Sequence, residues 1–216
     1  MKSTANKVEL RAYTYIDVYQ PQVASFQATV AQGYLPVEGQ AALFIEIAPG
    51  MDINNVMDVA LKRTNVEPGM MIVERVFGVM ELHSADQGEV RAAGQAVLES
   101  LGLEEGQRLK PAIKTTQIIT GVDAHHTMLI NRMRHGQFLL KGDTLYVLEV
   151  HPAGYALFAA NEAEKAADIE VLEIMAFGAY GRVFLGDTEA EIHEAARAVE
   201  SALSSMTGRA NAGTSD

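Results

Sequence analysis

His125, His126 and His135 form the only histidine cluster in the chain and are the first candidates for metal binding. Adjacent histidines on a helix point to different faces, and no His-Glu-x-x-His spacing sets two ligands one turn apart, so solvated or edge histidines are expected and no metal site. The chain has no cysteine. That removes disulfides, thiolate metal sites and cysteine nucleophiles together and fits a reducing compartment. No serine stands in a Gly-x-Ser-x-Gly context, so the hydrolase elbow is missing. Gly178-Ala179-Tyr180-Gly181 follows a strand but leads into another strand, the wrong setting for a dinucleotide fold, and no glycine-rich phosphate loop with its lysine occurs. Arg132-Met133-Arg134-His135 is a short basic patch of the kind that ends a solvated helix. These residues imply no catalytic centre and no cofactor.

Composition narrows the partners. The 17 Lys+Arg against 28 Asp+Glu leave a net charge of −11, which repels polyanions over most of the surface and argues against nucleic acid. With 48% hydrophobic residues, 216 residues can bury one large core or two small ones. The opening Met1 to Lys7 has no signal-peptide core, and apolar runs such as 41–45 and 70–73 are too short to span a bilayer, so a soluble cytoplasmic protein is expected.

The elements that must hold these residues read as follows. A β-branched and aromatic strand at 8–19 stops at Gln20-Pro21, and a short helix runs to Ala31. The strand at 42–47 is too continuously apolar to be solvated on both faces. Asp52 is placed to cap a helix whose stripe is Ile53, Val56, Met57, Ala60 and Leu61. Strands at 69–76 and 78–83 are expected to join through a turn at Phe77-Gly78. Asp86 and Glu89 form a capping-box pattern before a helix that turns Val90, Ala93, Val97, Leu98 and Leu101 inward and stops at Gly102.

The same order then recurs. A constant offset of 103 residues relates Gly33 to Gly136, Gly39 to Gly142, Glu46 to Glu149, Pro49 to Pro152, Lys62 to Lys165, Gly78 to Gly181 and Leu82 to Leu185. One residue is then lost, and Ala93, Val97 and Leu101 match Ala195, Val199 and Leu203. The second unit, whose last helix covers 188–204, lacks a closing strand. The N-terminal strand supplies its counterpart, since Ile16 matches Ile119 in the strand 109–119. A circular permutation accounts for this order. The expected domains are 8–104 and 107–206, each a sheet of about four strands covered on one face by helices, with 207–216 as a disordered tail.

The segment from Thr144 to Gly154, the helix ending Glu164-Lys165-Ala166-Ala167-Asp168, and the run from Ile169 to Asp187 together resemble a bacterial microcompartment shell domain. In that family a lysine closes the first helix, a Gly-containing hairpin lines the pore and a Gly-Asp step begins the last helix, and Lys165, Gly178 to Gly181 and Gly186-Asp187 fit in order. The first repeat departs from this with His83-Ser84 in place of Gly-Asp. Two such domains with a strand and helix moved to the front look like the permuted tandem-domain class, an α/β (α+β) fold. The resemblance implies a homotrimer imitating a hexamer, association with other shell proteins in a sheet, small polar metabolites or larger cofactors passing a central pore, residence in a microcompartment shell, and in some relatives stacking of two trimers. It implies pore loops at Glu74, Arg75, Val76, Phe77 and Gly78 and at Phe177, Gly178, Ala179, Tyr180 and Gly181. Glu74-Arg75 is similar to a gating acidic-basic pair; an ordinary strand-end ion pair is the alternative. Lys62 and Lys165 sit off the apolar stripe near the ends of their helices, where a cation suits the dipole and can reach a neighbour's carbonyls, or is simply solvated. The competing function is a trimeric small-molecule-binding regulator or enzyme with ligand pockets between subunits.

Overall fold

The computed structural model describes residues 8–133 and 135–211. Arg134 of the basic patch, residues 1–7 and residues 212–216 lie outside the described residues. The chain forms two antiparallel four-stranded sheets. The first has β1 (Glu9–Ile16), β2 (Ala41–Ala48), β3 (Glu67–Glu74) and β4 (Phe77–Ser84) in the order β1-β2-β4-β3. The second has β5 (Ala112–Ile119), β6 (Thr144–His151), β7 (Glu170–Met175) and β8 (Gly181–Asp187) in the order β5-β6-β8-β7. Helices α1 (Pro21–Val30), α2 (Ile53–Arg63) and α3 (Gln87–Leu101) belong to the first repeat, and α4 (Ala124–Met133), α5 (Tyr155–Ala166) and α6 (Glu189–Ser205) to the second.

The offset seen in the residues holds in the hydrogen-bond registers. Leu43 faces Leu82 and Tyr146 faces Leu185; the bulge between Leu10 and Ala12 recurs between Ile113 and Thr115, and that between Pro68 and Met70 recurs between Val171 and Glu173. The Ala48–Pro49 and His151–Pro152 bonds are both cis.

In the first sheet, one face packs Leu43, Ile45, Met80 and Leu82 against the α2 stripe of Ile53, Val56, Met57 and Ala60 and the α3 stripe of Val90, Ala93 and Val97. The other face is not open to water. Ala42, Phe44 and Val79 pack with Tyr19, Val23 and Phe26 into a core that continues through Tyr155, Ala159, Val171 and Leu185 of the second repeat. That double burial is why the 42–47 run is apolar on both faces except at Glu46.

Local expectations change in four places. Asp52 does not cap α2: the chain enters through a 3-10 turn, Gly50–Asp52, so Asp52 is already helical and its side chain reaches no free N–H. Leu61 leaves the stripe and is exposed. Asp86 caps α3 through the Gly88 N–H, 2.7 Å away, but Glu89 turns outward to the Asn65 N–H at 2.7 Å. The same tie recurs where Glu191 takes the Asp168 N–H at 3.1 Å, so this carboxylate fastens the loop before β3 or β7 instead of closing a capping box. Finally, part of the expected tail is ordered. Arg209 pairs with the connector through Lys110 N to Arg209 O at 3.0 Å and Arg209 N to Arg108 O at 2.8 Å, and Asn211 is buried. Despite a small, polar composition, these residues find hydrogen-bond partners on the segment joining the repeats, although Thr207, Arg209 and Ala210 stay exposed.

Candidate functional site

The two hairpins are built differently. In the first, Glu74 faces Phe77, which leaves a two-residue turn of Arg75 and Val76; the turn is not at Phe77-Gly78, because Gly78 already pairs with Val73 and Ile47. Arg75 holds φ at +56°, the left-handed conformation that a hairpin turn demands and that a glycine would take at lower cost. Gly78 is required for another reason: a Cβ there would lie 2.2 Å from the Gly50 carbonyl oxygen. Arg75 and Val76 project into solvent, and Arg75 Nε lies 3.7 Å from its neighbour Glu74 Oε1, a wet ion pair worth little by itself. In the second hairpin five residues, 176–180, separate β7 from β8. Ala176 is buried, Phe177 packs on the main core, Gly178 turns at φ +99°, and Ala179 and the Tyr180 ring are exposed at the tip. Gly181 approaches the Ala153 carbonyl as Gly78 approaches Gly50.

A buried polar network joins the bases of the two hairpins. Arg11 lies with its guanidinium 3.6 Å from the centroid of the Phe77 ring, its Nε 2.6 Å from Glu46 Oε1, and an Nη 3.0 Å from His151 Nε2. The second Glu46 oxygen accepts from the Gly154 N–H at 2.8 Å. His151 stands edge-on to Tyr180, with 5.9 Å between ring centres, and its Nδ1 is 3.0 Å from Asn211 Oδ1. Burial raises the Glu46 carboxyl above the usual carboxylate value, and the Arg11 charge opposes that shift. Sequence reasoning passed over Arg11, Glu46, His151 and Asn211. The available signal was a charged side chain, Arg11 or Glu46, within an apolar-rich strand.

Lys62 and Lys165 stand near the ends of α2 and α5. Lys62 is 71% exposed and bonds Asp58 at 2.6 Å; Lys165 is 46% exposed and sits 3.6 Å from Asp17 of the β1–α1 turn. Lys165 therefore borders the seam between repeats. At that seam the first turn of α1, which has no capping side chain of its own, is completed by the other repeat. The Gln22 and Val23 N–H groups donate to Glu164 at 2.7 and 2.9 Å, and the Gln20 N–H donates to Asn161 at 2.9 Å. Gln22 in turn accepts from the Val171 N–H at 2.9 Å.

The histidines do not converge. His125 lies 3.5 Å from Asp123, while the His135 ring meets Glu173 at 3.0 Å and stands edge-on to Phe26. His83, which replaces the glycine of the shell-domain pattern, is buried beside Glu81 at 3.1 Å, and Glu81 also accepts from Tyr19. At its counterpart Gly186 a Cβ would lie 2.7 Å from a Leu139 methyl, which would have to shift. The space one repeat gives to an imidazole the other gives to a leucine. Among the described residues no helix is long and apolar enough to cross a membrane.

With that geometry in view, comparison with known proteins is informative along the whole chain. The family described as the CsoS1D N-terminal domain matches residues 10–107. The chain is 54% identical to the carboxysome shell protein CcmP of Synechococcus elongatus over 95% of its own length and 97% of the relative's. It is 47% identical to the carboxysome shell protein CsoS1D of Hydrogenovibrio crunogenus, over 94% and 99%. Among solved structures, it matches the fused permuted hexameric shell protein MSM0275 of the RMM microcompartment with a TM-score of 0.91 at 46% identity, covering 93% of this chain and 99% of that one. It also matches the double ringed trimeric shell protein MSM0271 of the same microcompartment, with a TM-score of 0.91 at 37% identity, covering 94% and 100%.

Proposed function

Because the chain belongs to the family of carboxysome shell proteins that includes CcmP and CsoS1D and is a structural tile of a microcompartment shell, we propose that three copies close a ring of six domains around a central opening. The observation that carries this reading is the unequal treatment of two equivalent helices. Helix α1 buries Val23, Ala24, Phe26 and Gln27, partly against α5 and β7 of the other repeat. Its counterpart α4, 103 residues on, leaves Met128 and Leu129 exposed, and Leu129 occupies the position of Phe26. The surface that α4 would need, the counterpart of α5 and β7, is α2 and β3, where Leu61, Met71 and Val73 are exposed. Strand β5 is likewise open where β1 is buried. A neighbouring copy that repeats the in-chain seam covers both surfaces at once, and repeating one rotation closes a ring.

In such a ring the units 8–104 and 107–206 alternate, and three copies of each hairpin approach the axis. Glu74 and Arg75 form the gate, exchanging their weak pairing within a chain for pairing across subunits, while Tyr180 and its neighbours line the other layer of the opening for small metabolites. Lys62 and Lys165 contact adjoining tiles in the sheet. The tile carries no catalytic activity; its chemistry is selection at the opening. The double ringed relative supports stacking of two trimers, as do the exposed Leu35, Val37 and their counterparts Phe138 and Leu140, which would set apolar loops of both repeats around one face. Electron cryomicroscopy of the purified assembly tests the reading. Hairpins 74–78 and 176–180 on a threefold axis are expected; Glu74 and Arg75 far from the axis would overturn the gate.

A further inference from the structure

A guanidinium only donates hydrogen bonds, so at 3.0 Å from Arg11 the Nε2 atom of His151 must be an acceptor. The ring proton then sits on Nδ1 and is donated to Asn211 Oδ1. The Asn211 amide is oriented to receive it, since its Nδ2 donates to the Lys110 and His151 carbonyls at 2.9 and 3.1 Å. Each donor and acceptor in this chain has one assignment, and it requires a neutral imidazole. The groups facing that imidazole are Arg11 and Glu9 of β1, Lys114 of β5, Asn211, the Tyr180 ring and, behind Arg11, Glu46 of β2. Glu9 is itself held by Arg209, and Glu149, two residues earlier on the same face of β6, is taken by Arg182. Among the described residues both of these carboxylates already pair with an arginine, and what lies at Nε2 is a fixed positive charge.

We propose that Arg11 and His151 form a proton-sensitive tie between the two hairpins, holding the Phe77 and Tyr180 ends together while His151 is neutral and releasing both when it is protonated. Arg11 carries Phe77 on its face and His151 carries Tyr180 on its edge, so loss of the bond between them uncouples the two ring contacts and with them the two hairpins. The direction agrees with the electrostatics: burial, then Arg11, then Lys114 lower the His151 pKa, against the pull of Asn211 and Glu9. The tie occurs once per chain, because the counterparts of Arg11 and His151 are Lys114 and Ala48. It consists of contacts within one chain and stands whether or not the hairpins line a pore; if they do, acid loosens both layers of the opening together.

The test uses the intact assembly. Imidazole carbon-13 resonances follow the His151 titration from about pH 8 to about pH 5, and hydrogen exchange, corrected for its intrinsic pH dependence, follows peptides over 70–80 and 174–184. Protection in both peptides is expected to fall together by about five-fold or more as His151 protonates. His151→Gln, whose amide oxygen still accepts from Arg11, should keep the protection and lose its pH response. If that variant fails to fold, Tyr180→Leu serves: the 174–184 response should disappear while the 70–80 response remains. Hairpins that loosen at different pH values, no change on titration, a pH response that survives His151→Gln, or a 174–184 response that survives Tyr180→Leu overturns the proposal.

Discussion

Replacing Leu129 by aspartate puts the ring-closing seam to a direct test. In the single chain Leu129 is 52% exposed, whereas Phe26, its counterpart at the seam already made inside the chain, is 2% exposed. Covering the remaining half of a leucine contributes about 1 kcal/mol, and leaving a carboxylate in its place without a partner adds a desolvation cost of at least about 1 kcal/mol. Each seam therefore weakens by about 2 kcal/mol and a ring with three such seams by about 6 kcal/mol, roughly four decades in the trimer association constant at 1.4 kcal/mol per decade. Mass photometry at nanomolar protein and sedimentation velocity at micromolar protein bracket that range. The variant should run as a monomer where the parent is a trimer, with an unchanged far-ultraviolet spectrum, because α4 contributes little to the in-chain core. A trimer population identical to that of the parent at every concentration would refute the seam and with it the argument from α1 to α4.

Lys62→Ala combined with Lys165→Ala should leave the ring intact and impair sheets in electron micrographs, and unchanged sheets would count against the edge role. Arg75→Gly relieves a left-handed φ at a residue with few contacts, so the variant should be more stable by about 1 kcal/mol in urea denaturation; a loss of stability would show that the Glu74–Arg75 pair holds the turn. Burial holds the Glu81 carboxyl above the usual carboxylate range, so its ionisation opposes folding as pH rises above that range. Glu81→Gln keeps an acceptor for Tyr19 and should flatten that part of the stability curve, read from denaturation midpoints between about pH 4.5 and 7. The opposite sign is expected at His151. Its lowered pKa makes the parent lose stability as pH falls from about 6.5 toward the folded value, and His151→Gln should abolish that loss in the same midpoints.

The order of strands and helices was legible because the pattern is stated twice: one weak strand or stripe is ambiguous, but two that agree at a constant offset are not. Apolar periodicity placed α2 and α3 because their inward residues meet their own sheet. It failed at Leu61, which is exposed, and at Glu89, which serves a loop 24 residues away instead of its own helix end. The hairpins were found through their glycines, yet the turn in the first is made by Arg75, which no glycine rule would select. Arg11 and His151 are 140 residues apart, and only the packing of the repeats makes them neighbours. Residues 207–211 look like a tail by composition and are held by main-chain bonds at Arg209 and side-chain bonds at Asn211, which composition does not encode.

The completion of α1 by Glu164 and Asn161 has a consequence for how dilution acts on the ring. Joining the repeats in one chain makes the α1 seam an intramolecular event at an effective concentration in the millimolar range, whatever the amount of protein present. Its hydrogen bonds need only choose geometry. The α4 seam, where Leu61 stands at the Glu164 position and Leu129 at the Phe26 position, is the one that must be strong enough to find a partner from solution. In the proposed ring, polar groups are thus added at the joint that cannot come apart, and the joint that would set the concentration at which tiles form is left to apolar adhesion.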